Sequence, residues 1–342
     1  MSVSNDFRHS TDFACFAPLI CHTPPPLPIA CDRVTPPALL YGNNPTLLSG
    51  LLSSIRSEAI NRKLAFSALY DPYLPHRLTD LWVEGIGSFT LSPQLLTTEG
   101  GLIDCTVPAL EADESVHTAL QELSTAMTSL AKEISSVGRL LADAKSILAT
   151  QGERLCTSVS LRAKAERIAK KLPRKSGTCA KRTLAIQSYD ESGAITLLPF
   201  PKEIRILGLP SRYSLSSIFL RELEAALIAR NCEYILLTAA FTGERLGILL
   251  PASGICYLTD APEELREKEL TLSRFLLPFT PKERRDYRRL SAATKAIEAH
   301  LCLRLADYRA FAMREKELHA SLYQESRLQN FRKRLLIDLF CS

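Results

Sequence analysis

IRILGLPSRYSLSSIFL (residues 204–220) opens with an apolar run, then passes through a glycine and a polar turn into an amphipathic helix. LLYGNNPTLLSGLLSSI (39–55) follows the same plan. Both have the outline of a strand–loop–helix phosphate cradle, in which backbone N–H groups and the helix start face an anion. Neither copy carries the lysine or the inner glycine that a working cradle needs. The frame directs the reading of the fold, and the missing residues direct the reading of function.

Around each segment the order of elements repeats. In the first copy the helix spans about 46–63, with Leu48, Leu52, Ile55 and Ala59 on one face. LAFSALY (64–70) and LWVEGIGSFTLS (81–92) read as strands. In the second copy KEIRILGL (202–209) is a strand and 214–231 a helix with Leu215, Phe219, Leu223 and Leu227 inward. EYILLTAAF (233–241) and LGILLPASGICYLTD (246–260) supply further strands. Matching order and spacing argue for an internal duplication, and strand–helix–strand alternation predicts parallel sheets covered by helices.

A helical segment follows each unit. Val116, Leu120, Leu123, Met127, Leu130, Ile134, Val137, Leu141, Ala144 and Leu148 alternate four and three apart, a sustained heptad seam. Gly152 reads as a turn, with Leu161, Ala165, Ile168 and Leu172 returning, so an intramolecular antiparallel hairpin is the simplest reading and a dimeric coiled coil its competitor. Thr280, Pro281 and Glu283 mark the start of the C-terminal helices. The domain boundaries read as a Pro-rich lead-in over 1–35, a first unit over 36–110 and a helical hairpin over 111–175. A second unit over 176–279 and helices over 280–342 complete the chain.

A P-loop places Gly-x-x-x-x-Gly-Lys-[Ser/Thr] between strand and helix, with the lysine on the outer phosphates and the hydroxyl on magnesium. On these two loops and their flanking strands the chain resembles an uncharacterised tandem P-loop ATPase family of Gram-positive bacteria. The resemblance implies two tandem P-loop-NTPase-like α/β units with parallel sheets, each followed by long coiled-coil-like hairpins. It implies ATP with magnesium as cofactor and indicates no other. By position Gly42 and Gly208 match the first motif glycine, and Pro210 the motif proline where the first copy has Asn44. Leu47 and Tyr213 stand for the inner glycine, and Leu48 and Ser214 for the lysine. The magnesium hydroxyl is Ser49 in the first copy but Leu215 in the second. Thr259 or Asp260 falls near the family's Asp position, and Ser92 in the first copy.

Leucine cannot neutralise phosphate, and phosphoryl transfer is mostly positioning and charge stabilisation. The expected function is therefore a catalytically degenerate binding or scaffolding module, without ATPase activity, meeting a protein partner through its hairpins. A weak ATPase using the second loop and a basic nucleic-acid-associated protein are the alternatives. The candidate anion-binding residues are Gly208, Ser211, Arg212, Ser214, Ser216 and Ser217 in the second loop, and Gly42, Thr46 and Ser49 in the first. Arg212 with hydroxyls at a helix start can hold a phosphate without a lysine; the serines can equally serve only as caps.

Other features point to function less directly. Lys+Arg exceeds Asp+Glu by 42 to 37, too small an excess to mark a nucleic-acid binder. The basic runs at 162–182 and 283–289 lack interleaved aromatics and read as solvated. Cys15, Cys21 and Cys31 with His9 and His22 could ligate zinc, but no Cys-x-x-Cys pair exists, and free thiols are the plainer reading. Asp71 and His76 read as turn residues. Without an apolar stretch of membrane length, or an apolar core near the N-terminus, the expectation is a cytoplasmic protein that binds no membrane.

Overall fold

The computed structural model describes residues 13–16, 38–42, 44–91, 101–107, 114–174, 182–197 and 204–341. The first half contributes β1 (Phe13–Phe16), β2 (Ala38–Tyr41), α1 (Pro45–Asn61), β3 (Phe66–Tyr70), β4 (Leu78–Val83), β5 (Gly87–Thr90) and β6 (Leu102–Asp104). Two helices follow, α2 (Glu114–Arg154) and α3 (Ser158–Ala169). The second half repeats the series as β7 (Arg182–Asp190), β8 (Gly193–Thr196), β9 (Arg205–Leu209), α4 (Leu215–Ala229), β10 (Ile235–Ala239), β11 (Arg245–Leu250), β12 (Ile255–Thr259) and β13 (Arg266–Glu269). It ends in α5 (Pro281–Ser321) and α6 (Glu325–Phe340).

The strands form two mixed half-sheets joined where β1 pairs antiparallel with β7, Phe16 opposite Ala185. From that join outward the order is β1-β3-β4-β5-β2-β6 on one side and β7-β10-β11-β12-β9-β13 on the other. In both, the successive pairings are parallel, antiparallel, antiparallel, parallel and parallel. Both carry a register shift at the same step, between Leu69 and Tyr70 and between Leu237 and Thr238. The buried positions of α1 (Leu47, Leu51, Leu52, Ile55, Ala59) recur 168 positions later in α4 as Leu215, Phe219, Leu220, Leu223 and Leu227.

This topology overturns the expected pair of P-loop-NTPase-like units with parallel sheets. The reason lies in the connections. Parallel neighbours need a crossover of a dozen or more residues, whereas short links force antiparallel hairpins. β3 and β4 are joined by 71–77, β4 and β5 by 84–86, β10 and β11 by 240–244, and β11 and β12 by 251–254. The sheet register also makes Gly208 the counterpart of Leu39 rather than of Gly42, because Gly208 faces Leu258 and Leu39 faces Thr90, one step from equivalent hairpins.

The expected hairpin after each unit is also replaced. The seam of α2, with Met127, Leu130, Ile134 and Leu141 buried, is covered by α5, and the two helices run antiparallel. Arg304 Nε lies 3.1 Å from Glu133 Oε1 across them. Length decides the pairing: α2 and α5 each have 41 residues, while α3 has 12 and cannot cover such a seam. The short helices cross over instead. α3 packs on α4 of the second half, where Arg230 Nε donates to the Ala169 carbonyl at 3.1 Å. α6 packs on α1 of the first half, where Arg62 Nη1 donates to the Phe340 carbonyl at 2.8 Å. Each half thus lends its helical arm to the other. Among the described residues no helix is long and apolar enough to cross a membrane.

Candidate functional site

The exchanged arms build two clefts at equivalent places. Each lies between the helix of its half (α1 or α4), the hairpin link that follows it (71–77 or 240–244), and the long helix of the opposite half. The first is lined by Thr46, Ser49, Gly50 and Ser53 of α1, residues 74–77, Arg309 to Lys316 on α5, and Arg332 of α6. The second is lined by Ser217, Ile218 and Arg221 of α4, residues 242–245, and Ala142 to Thr150 on α2. Ser49 corresponds to Ser217 and Gly50 to Ile218, each 168 positions on, while the strand register sets Arg77 against Glu244 and Leu78 against Arg245. The long helices correspond at a shift of 167. Yet the first cleft holds about 630 Å³ and the second about 230 Å³.

Charge explains much of this difference. In the second cleft every cation is met by a carboxylate. Lys145 Nζ binds Glu244 at 2.6 Å, Arg245 Nε binds the buried Glu224 at 2.6 Å, and Arg221 bridges Glu153 and Glu222. The Arg221 side chain holds the Glu153 carboxyl below its usual range. Such pairs are screened less than exposed ones and tie the walls together.

In the first cleft the partners have been exchanged. Glu244 becomes Arg77, Glu224 becomes Arg56, Glu222 becomes Ser54 and Glu153 becomes Ala320. At the same time Ala142, Ala149 and Ala165 become Arg309, Lys316 and Arg332. His76, Arg77, Lys316 and Arg332 make no ion pair among the described residues, and Glu315 is the one carboxylate lining this cleft. Arg309 is partly committed: its guanidinium donates to the carbonyls of Tyr73 and Tyr189, and burial lowers its pKa.

Local sequence gives the cleft its shape. Thr46, Ser49, Gly50 and Ser53 follow the i, i+3, i+4, i+7 pattern, so they share one face of α1. Gly50 leaves room for the arm: a Cβ there would lie 2.9 Å from Arg332 Nη2. The helix start itself offers little. Pro45 has no N–H, and the Leu47 N–H is taken by the Asn44 side chain at 2.9 Å. An anion here would be held by side chains on the flank of α1, not by a backbone nest.

The predicted residues separate accordingly. Thr46 and Ser49 line the first cleft and Ser217 the second. Gly42 lies past β2 against the Cys105 carbonyl. Gly208 sits inside β9, where the Arg266 side chain crosses it. Ser211 precedes the turn Arg212–Ser214, and the Arg212 guanidinium stacks 5.3 Å from the Tyr213 ring centre. Ser214 Oγ is 2.9 Å from the Tyr287 hydroxyl, and Ser216 is buried. Tyr213, at φ 56°, packs on Phe279 and Tyr287 beneath Gly152 of α2. The start of α4 is therefore filled by protein. Apart from Cys15 on β1, the cysteine–histidine group near the N-terminus lies outside the described residues. Among those described, no cluster of three or more His, Cys, Asp or Glu could hold a metal ion.

Sequence reasoning missed Arg77, Arg309, Lys316 and Arg332, and read His76 as part of a turn. The signal was available: aligning α2 and α3 with α5 and α6 at a shift of 167 sets three cations against three alanines. No family model, curated protein or solved structure matches this chain.

Proposed function

We propose that this chain is a binding module that holds an anionic, phosphate-class ligand in the cleft between α1, residues 74–77, α5 and α6. The observation that carries the proposal is the asymmetry between the clefts. The ion pairs that close the second cleft are absent from the first, where three alanines are replaced by cations. Unpaired cations in a partly enclosed space cost desolvation and mutual repulsion. A bound anion relieves both. Thr46 and Ser49 add hydroxyls on the same wall. Nothing in the cleft supplies a nucleophile set against a base, so binding is the activity proposed. A cytoplasmic setting accords with it, since Cys105, Cys156, Cys232, Cys256 and Cys302 are buried free thiols.

The test is thermal unfolding with inorganic phosphate and nucleotides. A ligand bound only by the native state at a hundred times its Kd adds about 2.7 kcal/mol. Arg332→Ala together with Lys316→Ala should abolish the shift, while Arg212→Ala should leave it unchanged. A shift that survives loss of Arg332 and Lys316 but disappears without Arg212 would refute the assignment.

A further inference from the structure

Resting on that reading, we infer that the ligand is a phosphorylated sugar, its phosphate in the first cleft and its sugar in a groove next to it on α2. The groove has a volume of about 780 Å³ and shares Arg77 and Glu315 with the cleft, so the two spaces meet at those side chains. Along α2 it presents Ser124, Thr128, Ala131, Ser135 and Arg139, spaced four and three apart on one helical face.

The chemistry of this wall suits hydroxyl groups. Thr128 Oγ1 donates to the Ser124 carbonyl at 2.8 Å, and Ser136 Oγ donates to the Lys132 carbonyl at 2.9 Å. With their hydrogens committed to the helix, both oxygens turn only lone pairs outward, and these accept from a ligand O–H. Lys132 and Arg139 supply donors for ligand oxygens. The floor is aromatic: the Tyr73 and Tyr308 rings lie 5.0 Å apart, a surface for the C–H face of a sugar ring. Glu315, at the junction, accepts from a hydroxyl but repels a second phosphate. That favours one phosphate followed by a polyol over an extended polyanion. The equivalent positions of the second half are Cys302 for Ser135, Leu303 for Ser136 and Ala299 for Lys132, so the polar groove belongs to the same half as the unpaired cations.

Isothermal titration of the full chain with inorganic phosphate, ribose 5-phosphate, ribose and tripolyphosphate tests this. Ribose 5-phosphate should bind at least about tenfold more tightly than phosphate. Thr128→Val with Ser136→Ala, both on the exposed face of α2, should reduce that advantage to less than about threefold and leave phosphate affinity unchanged. Equal affinity for phosphate and the sugar phosphate, or tighter binding of tripolyphosphate, overturns the sugar assignment while the anion cleft stands. Absence of phosphate binding overturns both.

Discussion

Two glycine-to-alanine changes test how the arms dock. At Gly152, in the last turn of α2, a methyl group would collide with the Tyr213 carbonyl and lie 3.2 Å from Ser214 Cβ. The obstacle is backbone, and it belongs to a turn in which Tyr213 and Ser214 hold φ of 56° and 57°. Residues in that region persist only when their surroundings fix them, at roughly 1 kcal/mol or more each. Overpacking of this kind costs about 1–3 kcal/mol, against a helix-propensity gain of at most about 1 kcal/mol. At Gly50 the same methyl group meets only the tip of the flexible Arg332 side chain, 2.9 Å away. There the propensity gain dominates, and the guanidinium swings aside.

Gly152→Ala should therefore lower stability by about 1–2 kcal/mol, and Gly50→Ala should leave it unchanged or raise it by up to about 1 kcal/mol. At about 2.1 cal/mol/K per residue, the 342-residue chain has an unfolding entropy near 0.7 kcal/mol/K, so the two variants should differ in Tm by about 1–4 °C. Scanning calorimetry reads the difference directly. Gly152→Ala as stable as the parent would mean that α2 does not rest on the second loop, and the exchanged-arm architecture would lose its clearest contact.

Other expectations concern charge. Glu244→Arg, which copies Arg77 of the first cleft, releases Lys145 from a partly exposed ion pair; it should cost about 1 kcal/mol and give the second cleft weak phosphate affinity, seen as a second binding step in titration. Phosphate binding at the first cleft should weaken steadily as salt is raised, because the cleft is open to solvent and its cations are screened; affinity independent of ionic strength would contradict side-chain capture. Burial holds the Asp80 carboxyl above its ordinary value, against the Thr90 and Thr79 hydroxyls that favour its ionised form. A folded pKa above the unfolded one favours the native state below 3.8, and that contribution is lost as pH rises through the folded pKa. Asp80→Asn should accordingly raise the urea midpoint at neutral pH and converge with the parent near about pH 3. Tyr287→Phe should cost about 0.5–1.5 kcal/mol through the lost bond to Ser214, with no change in phosphate affinity.

The helices and most strands were legible because their apolar spacing is strong. The inward stripes of α1 and α4 and the seam of α2 could be read from residues three and four apart. Sheet direction was misread because strand–helix–strand order was weighted above connection length. The three residues between β4 and β5 already excluded a parallel pair. The partner of α2 was misassigned because a heptad seam specifies that a helix packs, not against which one. The cleft was the least legible feature. Its cations come from residues 77, 309, 316 and 332, brought together by an exchange that sequence proximity does not show. Arg332 occupies on α6 the position that Ala165 occupies on α3, and only the repeat alignment makes this one of the three arginines of an amphipathic helix conspicuous.

The exchange also explains how two equivalent clefts can diverge within one chain. In a symmetric homodimer with swapped arms, one substitution would change both clefts at once. Here α5 and α6 line the first cleft, and α2 lines the second. Arginines at 309 and 332 could enter without disturbing the Lys145–Glu244 and Arg245–Glu224 pairs. The second cleft then holds the long helix to its half through ion pairs, and the first is left to do the same through Arg309, which joins α5 to the carbonyls of Tyr73 and Tyr189. Arg309→Lys keeps the charge but loses the forked geometry that reaches two carbonyls. It should destabilise the fold by about 1–3 kcal/mol while weakening phosphate binding less than Arg332→Ala does. If Arg309→Lys instead leaves the Tm unchanged and abolishes phosphate binding, Arg309 is a ligand-contacting residue, and the division of labour between the two clefts must be redrawn.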